Sequence, residues 1–135
     1  GETPAYIAAY EGHTALDILV NAGCDVNQAK MNGVTPIYIA AQNGQTALDI
    51  LVNAGCDLNQ STSDGRTPAF VAAQKDHTAA LDILVKAGCD VNQVANCGST
   101  LAFAAAAMGQ TAALVLLAKA GCDMNLATKH GVTPV

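Results

Sequence analysis

The chain has 135 residues, 51% of them apolar, and a net charge of −5 from 6 basic and 11 acidic side chains. Lys and Arg are nowhere clustered, so binding to nucleic acid or an anionic membrane has no electrostatic source. No apolar run approaches the roughly 20 residues that cross a bilayer, and the N-terminus carries no signal-peptide pattern.

The first predicted helix opens at Thr3-Pro4. Thr is a good N-cap, and Pro suits a first turn that needs no amide donor. This helix spans about Pro4 to Glu11 through Ala5-Tyr6-Ile7-Ala8-Ala9, and Gly12 breaks it. A second predicted helix places Leu16, Leu19 and Val20 at helical spacing, turns Asp17 outward and ends at Gly23. Asp25 to Asn32 is polar and without helical period; it leads to Gly33 and reads as a turn or short hairpin.

The rest of the chain repeats this unit. Gly23-Cys24-Asp25-Val26-Asn27 returns in near-identical form from Gly55, Gly88 and Gly121, at steps of 32, 33 and 33 residues. Thr35-Pro36, Thr67-Pro68 and Thr133-Pro134 stand at the phase of Thr3-Pro4, and Thr100-Leu101 keeps the cap without the proline. Gly44 and Gly109 match Gly12, whereas Asp76 takes that place in the third copy. A period of this length predicts an elongated stack of small units rather than a globule around one centre.

These landmarks resemble those of ankyrin-repeat proteins. The family phrase Gly-x-Thr-Pro-Leu-His-x-Ala-Ala stands here as Gly33-Val34-Thr35-Pro36-Ile37-Tyr38-Ile39-Ala40-Ala41, and the family ending Gly-Ala-Asp-Val-Asn as Gly-Cys-Asp-Val-Asn. The resemblance covers the whole chain and implies an all-α solenoid of antiparallel helix pairs, with hairpin fingers along one edge. The units are expected at 1–32, 33–64, 65–97 and 98–130, with 131–135 beginning a fifth. Three departures stand out. An aromatic (Tyr6, Tyr38, Phe70, Phe103) replaces the family His, whose usual hydrogen bond to the Thr-Pro turn a Phe cannot make. Cys replaces the Ala before Asp in every copy, and the first two units are one residue short near Thr14-Ala15. A shorter turn or a later helix start is expected there. Alanine at the contacts of the first helices lets them approach closely, so the stack should curve with first helices and fingers on its concave side.

Cys24, Cys56, Cys89 and Cys122 are equivalent positions about one helix spacing, roughly 10 Å, apart. That excludes a disulfide, which needs Cα atoms within about 7 Å, and a shared zinc. They read as buried small hydrophobes, and free thiols favour a reducing, intracellular and cytoplasmic setting. Cys97, beside Gly98 at a hairpin tip, is expected to be exposed. His13 and His77 share their slot with Gln45 and Gln110, which speaks for a structural role, and His130 has no evident partner. Asp25, Asp57, Asp90 and Asp123 suit turn starts. Asn27, Asn59, Asn92 and Asn125 are expected to brace the loops; preceded by Leu-x5-Asp-x, they also resemble asparaginyl hydroxylation targets of the family. No phosphate loop, nucleophile elbow or ligand cluster is present, so no catalytic, cofactor or metal site is expected.

The resemblance places the partner-binding face on the concave side, where residues vary between copies. In the fingers these are Met31, Asn32, Val34, Ser63, Asp64, Arg66, Asn96, Cys97 and Ser99. On the first helices they are Tyr10, Glu11, Gln42, Asn43, Gln74, Lys75, Ala107 and Met108. The mixed apolar and amide character, with Arg66 and Lys75 as the central cations, suits a protein or peptide of slightly acidic character. No small-molecule substrate is expected. The leading expectation is a non-catalytic protein-interaction scaffold. A spacer array, suggested by the near identity of 12–28 and 44–60, and a regulatory segment of a larger enzyme or channel are the alternatives. Both ends look cut from something longer, so a monomer that frays or self-associates through its uncapped C-terminal end is expected.

Overall fold

The structure is a computed structural model that describes residues 4–11, 15–30, 32–43, 47–96 and 98–122. Among these residues all regular structure is helical: α1 Pro4–Glu11, α2 Ala15–Asn21, α3 Pro36–Asn43, α4 Ala47–Asn53, α5 Pro68–Gln74, α6 Thr78–Lys86, α7 Leu101–Ala107 and α8 Thr111–Lys119. The odd-numbered helices form one row and the even-numbered helices a second, each helix packing on the next of its row and on its own partner. Contact along the first row is the more extensive, as its alanines allow. Smaller contact residues in the first row favour curvature toward that face.

Capping explains where the helices begin and end. The Thr35, Thr67 and Thr100 hydroxyls, all buried, accept from the backbone N–H of Tyr38, Phe70 and Phe103 at 3.3, 3.2 and 3.0 Å. Each fixes a helix start as the Thr-Pro spacing predicts. Every second helix ends in the same double bond. Gly23 N–H donates to the Val20 carbonyl and Cys24 N–H to that of Leu19, and the pattern returns at Gly55-Cys56, Gly88-Cys89 and Gly121-Cys122. The glycines supply the left-handed backbone this cap requires. The cysteine follows the glycine, a position where such a cap favours a small apolar side chain.

The short units behave as their missing residue predicts. Both α2 and α4 start eight residues before their closing glycine, whereas α6 and α8 start ten before theirs. The turns at 12–14 and 44–46 lie outside the described residues.

Two sets of hydrogen bonds fix one unit on the next. Asp25, Asp57 and Asp90 each accept, through Oδ1, the backbone N–H of the Asn two residues on, at 2.9 to 3.0 Å. The Asn side chain so placed reaches across the junction: Asn27 Oδ1 accepts from Asp57 N–H and Asn59 Oδ1 from Asp90 N–H, both at 2.7 Å. The recurrent Asp and Asn therefore act on backbone, as expected from their position at turn starts; Asn125 lies outside the described residues. At the opposite edge, the fingers are tight hairpins closed by Lys30–Val34, Thr62–Arg66 and Ala95–Ser99 bonds. Neighbouring fingers touch through Ser63 N–H to the Asn32 carbonyl and Asn96 N–H to that of Asp64. At Gly65 a Cβ would sit 2.8 Å from the Asn96 nitrogen, so this glycine serves close approach as well as its φ of +78°.

The core is a ribbon rather than a centre. Leu16, Leu48, Leu51, Leu81, Leu84 and Leu117 are fully buried between the rows. Truncating one of these to Ala costs about 2–5 kcal/mol. The first unit shows what a neighbour contributes. Ile7 is 49% exposed, whereas its equivalents Ile39 and Val71 are 6% and 1% exposed under the unit before them.

Asp76 stands where α7 is followed by Gly109, and it holds the same left-handed backbone, φ 60° against 68°. A Cβ there costs about 1 kcal/mol. Asp76→Gly should therefore add about 0.5–1 kcal/mol to the unfolding free energy, read as a higher urea midpoint at unchanged m-value. Gly65→Ala should lower it by about 1–3 kcal/mol.

Candidate functional site

The first-row helices and the fingers enclose a groove in which two open cavities meet at Arg66. One, of about 360 Å³, is lined by Asn32, Val34, Tyr38, Thr62, Ser63, Asp64 and Arg66. The other, of about 200 Å³, is lined by Arg66, Phe70, Gln74, Ser99, Phe103, Ala104, Ala107 and Met108. Arg66 closes the hairpin that carries Asp64 and lies half-buried between them. Its guanidinium lies over the Phe70 ring, 5.9 Å from the centroid. Burial pushes the Tyr38 phenol above its usual pKa; Arg66 pulls it back and Asp64 pushes it further up. Lys30, at a different finger position, lies over the Tyr6 ring at 4.8 Å. A cation within about 6 Å of a ring is attracted to its face, so aromatic rings hold both basic side chains in place.

Of the sequence-predicted face, the structure brings together Asn32, Val34, Ser63, Asp64, Arg66, Gln74, Ser99, Ala107 and Met108 around these cavities. Gln42, Asn43 and Lys75 stand on the same helix row or at its end without lining either cavity. Asn96 is engaged in the scaffold: its Nδ2 donates to the Ser63 carbonyl at 2.8 Å, bracing two fingers. Met31, Cys97 and the side chains of Tyr10 and Glu11 lie outside the described residues, as do His13 and His130.

Sequence reasoning missed Tyr38, Phe70, Phe103, Thr62 and Ala104, which line the groove. The aromatics were legible as replacements for a capping His, but the caps close through backbone N–H groups without any side-chain donor. The available signal was an aromatic at one phase in all four units, next to a helix start that faces the fingers. His77 caps α6 by position alone, with no side-chain hydrogen bond to the helix. Gln110, in the equivalent slot, is buried with its Oε1 unpartnered among the described residues.

The cysteines are free, and Cys56, Cys89 and Cys122 are buried as expected. Cys24 is the correction: it is only half-buried. The reason lies in how the others are covered. Cys122 Sγ donates to the Val91 carbonyl in the loop of the preceding unit, at 3.5 Å, and no described loop precedes Cys24. Burial pushes the Cys56 and Cys89 thiols up to about 11, with Asp57 and Asp90 adding to the rise. Thiolate is the nucleophilic form, so these two are chemically quiet.

Among the described residues no three His, Cys, Asp or Glu side chains gather as a metal site. No helix there is long and apolar enough to cross a membrane.

A family profile described as ankyrin repeats, three copies, matches residues 1–62 and 46–128. This chain belongs to the ankyrin-repeat family. Ankyrin repeats are generally protein-interaction modules, and the family is generally non-catalytic. A search of curated protein sequences returns no significant match to the chain.

Two measurements check the thiol assignments. Iodoacetamide at pH 8 should modify Cys24 well before Cys56 and Cys89. The raised folded-state pKa also fixes a sign. Unfolded thiols lose their protons near 9.0 and the buried ones near 11, so this contribution is intact below pH 9 and declines above it. Melting temperature should fall between pH 9 and 10, and Cys56→Ala with Cys89→Ala should flatten that fall.

Proposed function

We propose that this ankyrin-repeat chain is a non-catalytic scaffold that binds a protein partner through its concave face, by inserting a short extended segment of that partner between fingers and first-row helices. The observation that carries the reading is the pair of cavities meeting at Arg66, lined largely by residues that differ from unit to unit. The capping Thr, the glycine of the second-helix cap and the bridging Asn repeat between units and line neither cavity, whereas Asn32, Ser63, Asp64, Arg66 and Ser99 vary, tie the fingers through backbone and line the groove. Partner binding on such a surface needs little ordering, because caps and finger bonds already fix the lining. The units take the bounds 1–32, 33–64, 65–97 and 98–130, and the free thiols suit a reducing compartment.

A spacer would have no use for this divergence. Among the described residues, the near identity of 12–28 and 44–60 involves second-helix and loop positions that line neither cavity.

Peptides selected from a random displayed library on the full chain provide the probe. Changing Arg66, Gln74 and Met108 together to Ala should weaken their binding by about tenfold or more, the scale of losing anchor contacts, with helicity and melting preserved. The convex-face change Val115→Asp, at an exposed position where other units carry Asp17, Asp49 and Asp82, should leave binding intact. Peptides that survive the triple change and are lost with Val115→Asp would refute a concave site.

A further inference from the structure

Resting on that reading, we infer that the partner segment carries a carboxylate side chain beside an apolar one, the acid pairing with Arg66 and the apolar group entering the cavity between α5 and α7. The cavity exists because α7 departs from the earlier helices. Ala104 stands where α3 and α5 have Ile39 and Val71, and Ala107 where they have Gln42 and Gln74. These shorter side chains leave about 200 Å³ open beside the Phe70 and Phe103 rings. That is below the roughly 300–1,000 Å³ of small-molecule sites and fits a single side chain of a larger partner. Met108, 60% exposed at the rim where α5 is followed by Lys75, extends the apolar wall outward.

Charge fixes the neighbouring residue and its direction. Among the described residues Arg66 is the one charged side chain lining this cavity, in a chain whose net charge is −5. The Phe70 face lies 5.9 Å from it, and a guanidinium has five donors with which to meet a carboxylate. On its other side Asp64 lines the larger cavity and disfavours an acid there. The carboxylate therefore approaches from the α5–α7 side, which places its apolar neighbour toward α7.

Peptides from a displayed random 12-residue library, panned on the full chain and then synthesised, test this. Enriched sequences should share Asp or Glu within one or two residues of Leu, Ile, Met or Phe. Ala104→Val with Ala107→Gln, which restores the side chains of α5, should weaken them about tenfold or more while melting is kept. Should that pair unfold the chain, Ala107→Gln alone, at an exposed position, should still weaken them. Arg66→Glu should reverse the preference, so that a peptide with Lys in place of its acid binds the variant better than the original peptide does. Enriched peptides without an acid, or peptides indifferent to the cavity-filling changes, overturn the inference; if these are still lost with the Arg66, Gln74 and Met108 triple change, the concave-face reading stands alone. A selection that enriches nothing, or only peptides indifferent to the triple change, overturns both.

Discussion

The side-chain oxygen of one loop asparagine, accepting the backbone N–H of the next loop's aspartate at 2.7 Å, sets the pitch of this molecule. It spans a junction that apolar packing alone would leave free to slide, because alanine-rich helix faces offer few knobs to lock a register. The oxygen is aimed by a second bond, from the asparagine's own N–H to the aspartate two residues earlier. An Asx-type turn thus becomes a connector. On the far edge the finger-to-finger bonds repeat the constraint, so hydrogen bonds along both loops and fingers join the described units.

That division of labour explains why so few residue types recur. Structural positions satisfy backbone: Thr caps a start, Gly and Cys close an end, Asp and Asn join units. Their side chains face loops or the buried seam, so a partner would meet what remains. Replacing Ala by Cys at the helix end fits the same logic, since that position asks for a small apolar group against Leu51 or its equivalents. Burial beside an aspartate holds the thiol protonated, and the substitution adds bulk without adding reactivity.

Most of the scaffold could be read directly from the chain. Thr67-Pro68 and Gly88-Cys89 mark helix ends through local chemistry, which depends on a few adjacent residues. The bounds of α1, the later start of α2 and α4, and the outward Asp17 all follow from spacing of that kind. Properties that depend on a neighbouring unit were harder to see. Cys24 and Cys56 sit in nearly identical sequence, yet Cys56 is buried and Cys24 only half-buried. The groove residues split along the same line. Arg66, Gln74 and Met108 show as variable letters, whereas the cavity beside them is a deficit of volume at Ala104 and Ala107, visible only once α5 and α7 face each other.

The aromatic phase shows how a lost hydrogen bond can become a different use of the same position. Where the family carries His, a donor to the Thr-Pro turn, this chain carries Tyr or Phe and leaves capping to Thr alone. A ring at this phase presents a face toward the finger, and basic finger residues settle on it: Lys30 on Tyr6 and Arg66 on Phe70. Such contacts are worth about 0.5–1 kcal/mol where water has access, too little to hold a unit together. They are enough to narrow the conformations of a long cationic side chain before a partner arrives, which reduces the entropy that binding must overcome. On this argument the aromatic replacements belong to the groove as much as to the scaffold, with the Phe70 ring beneath the arginine that lines both cavities.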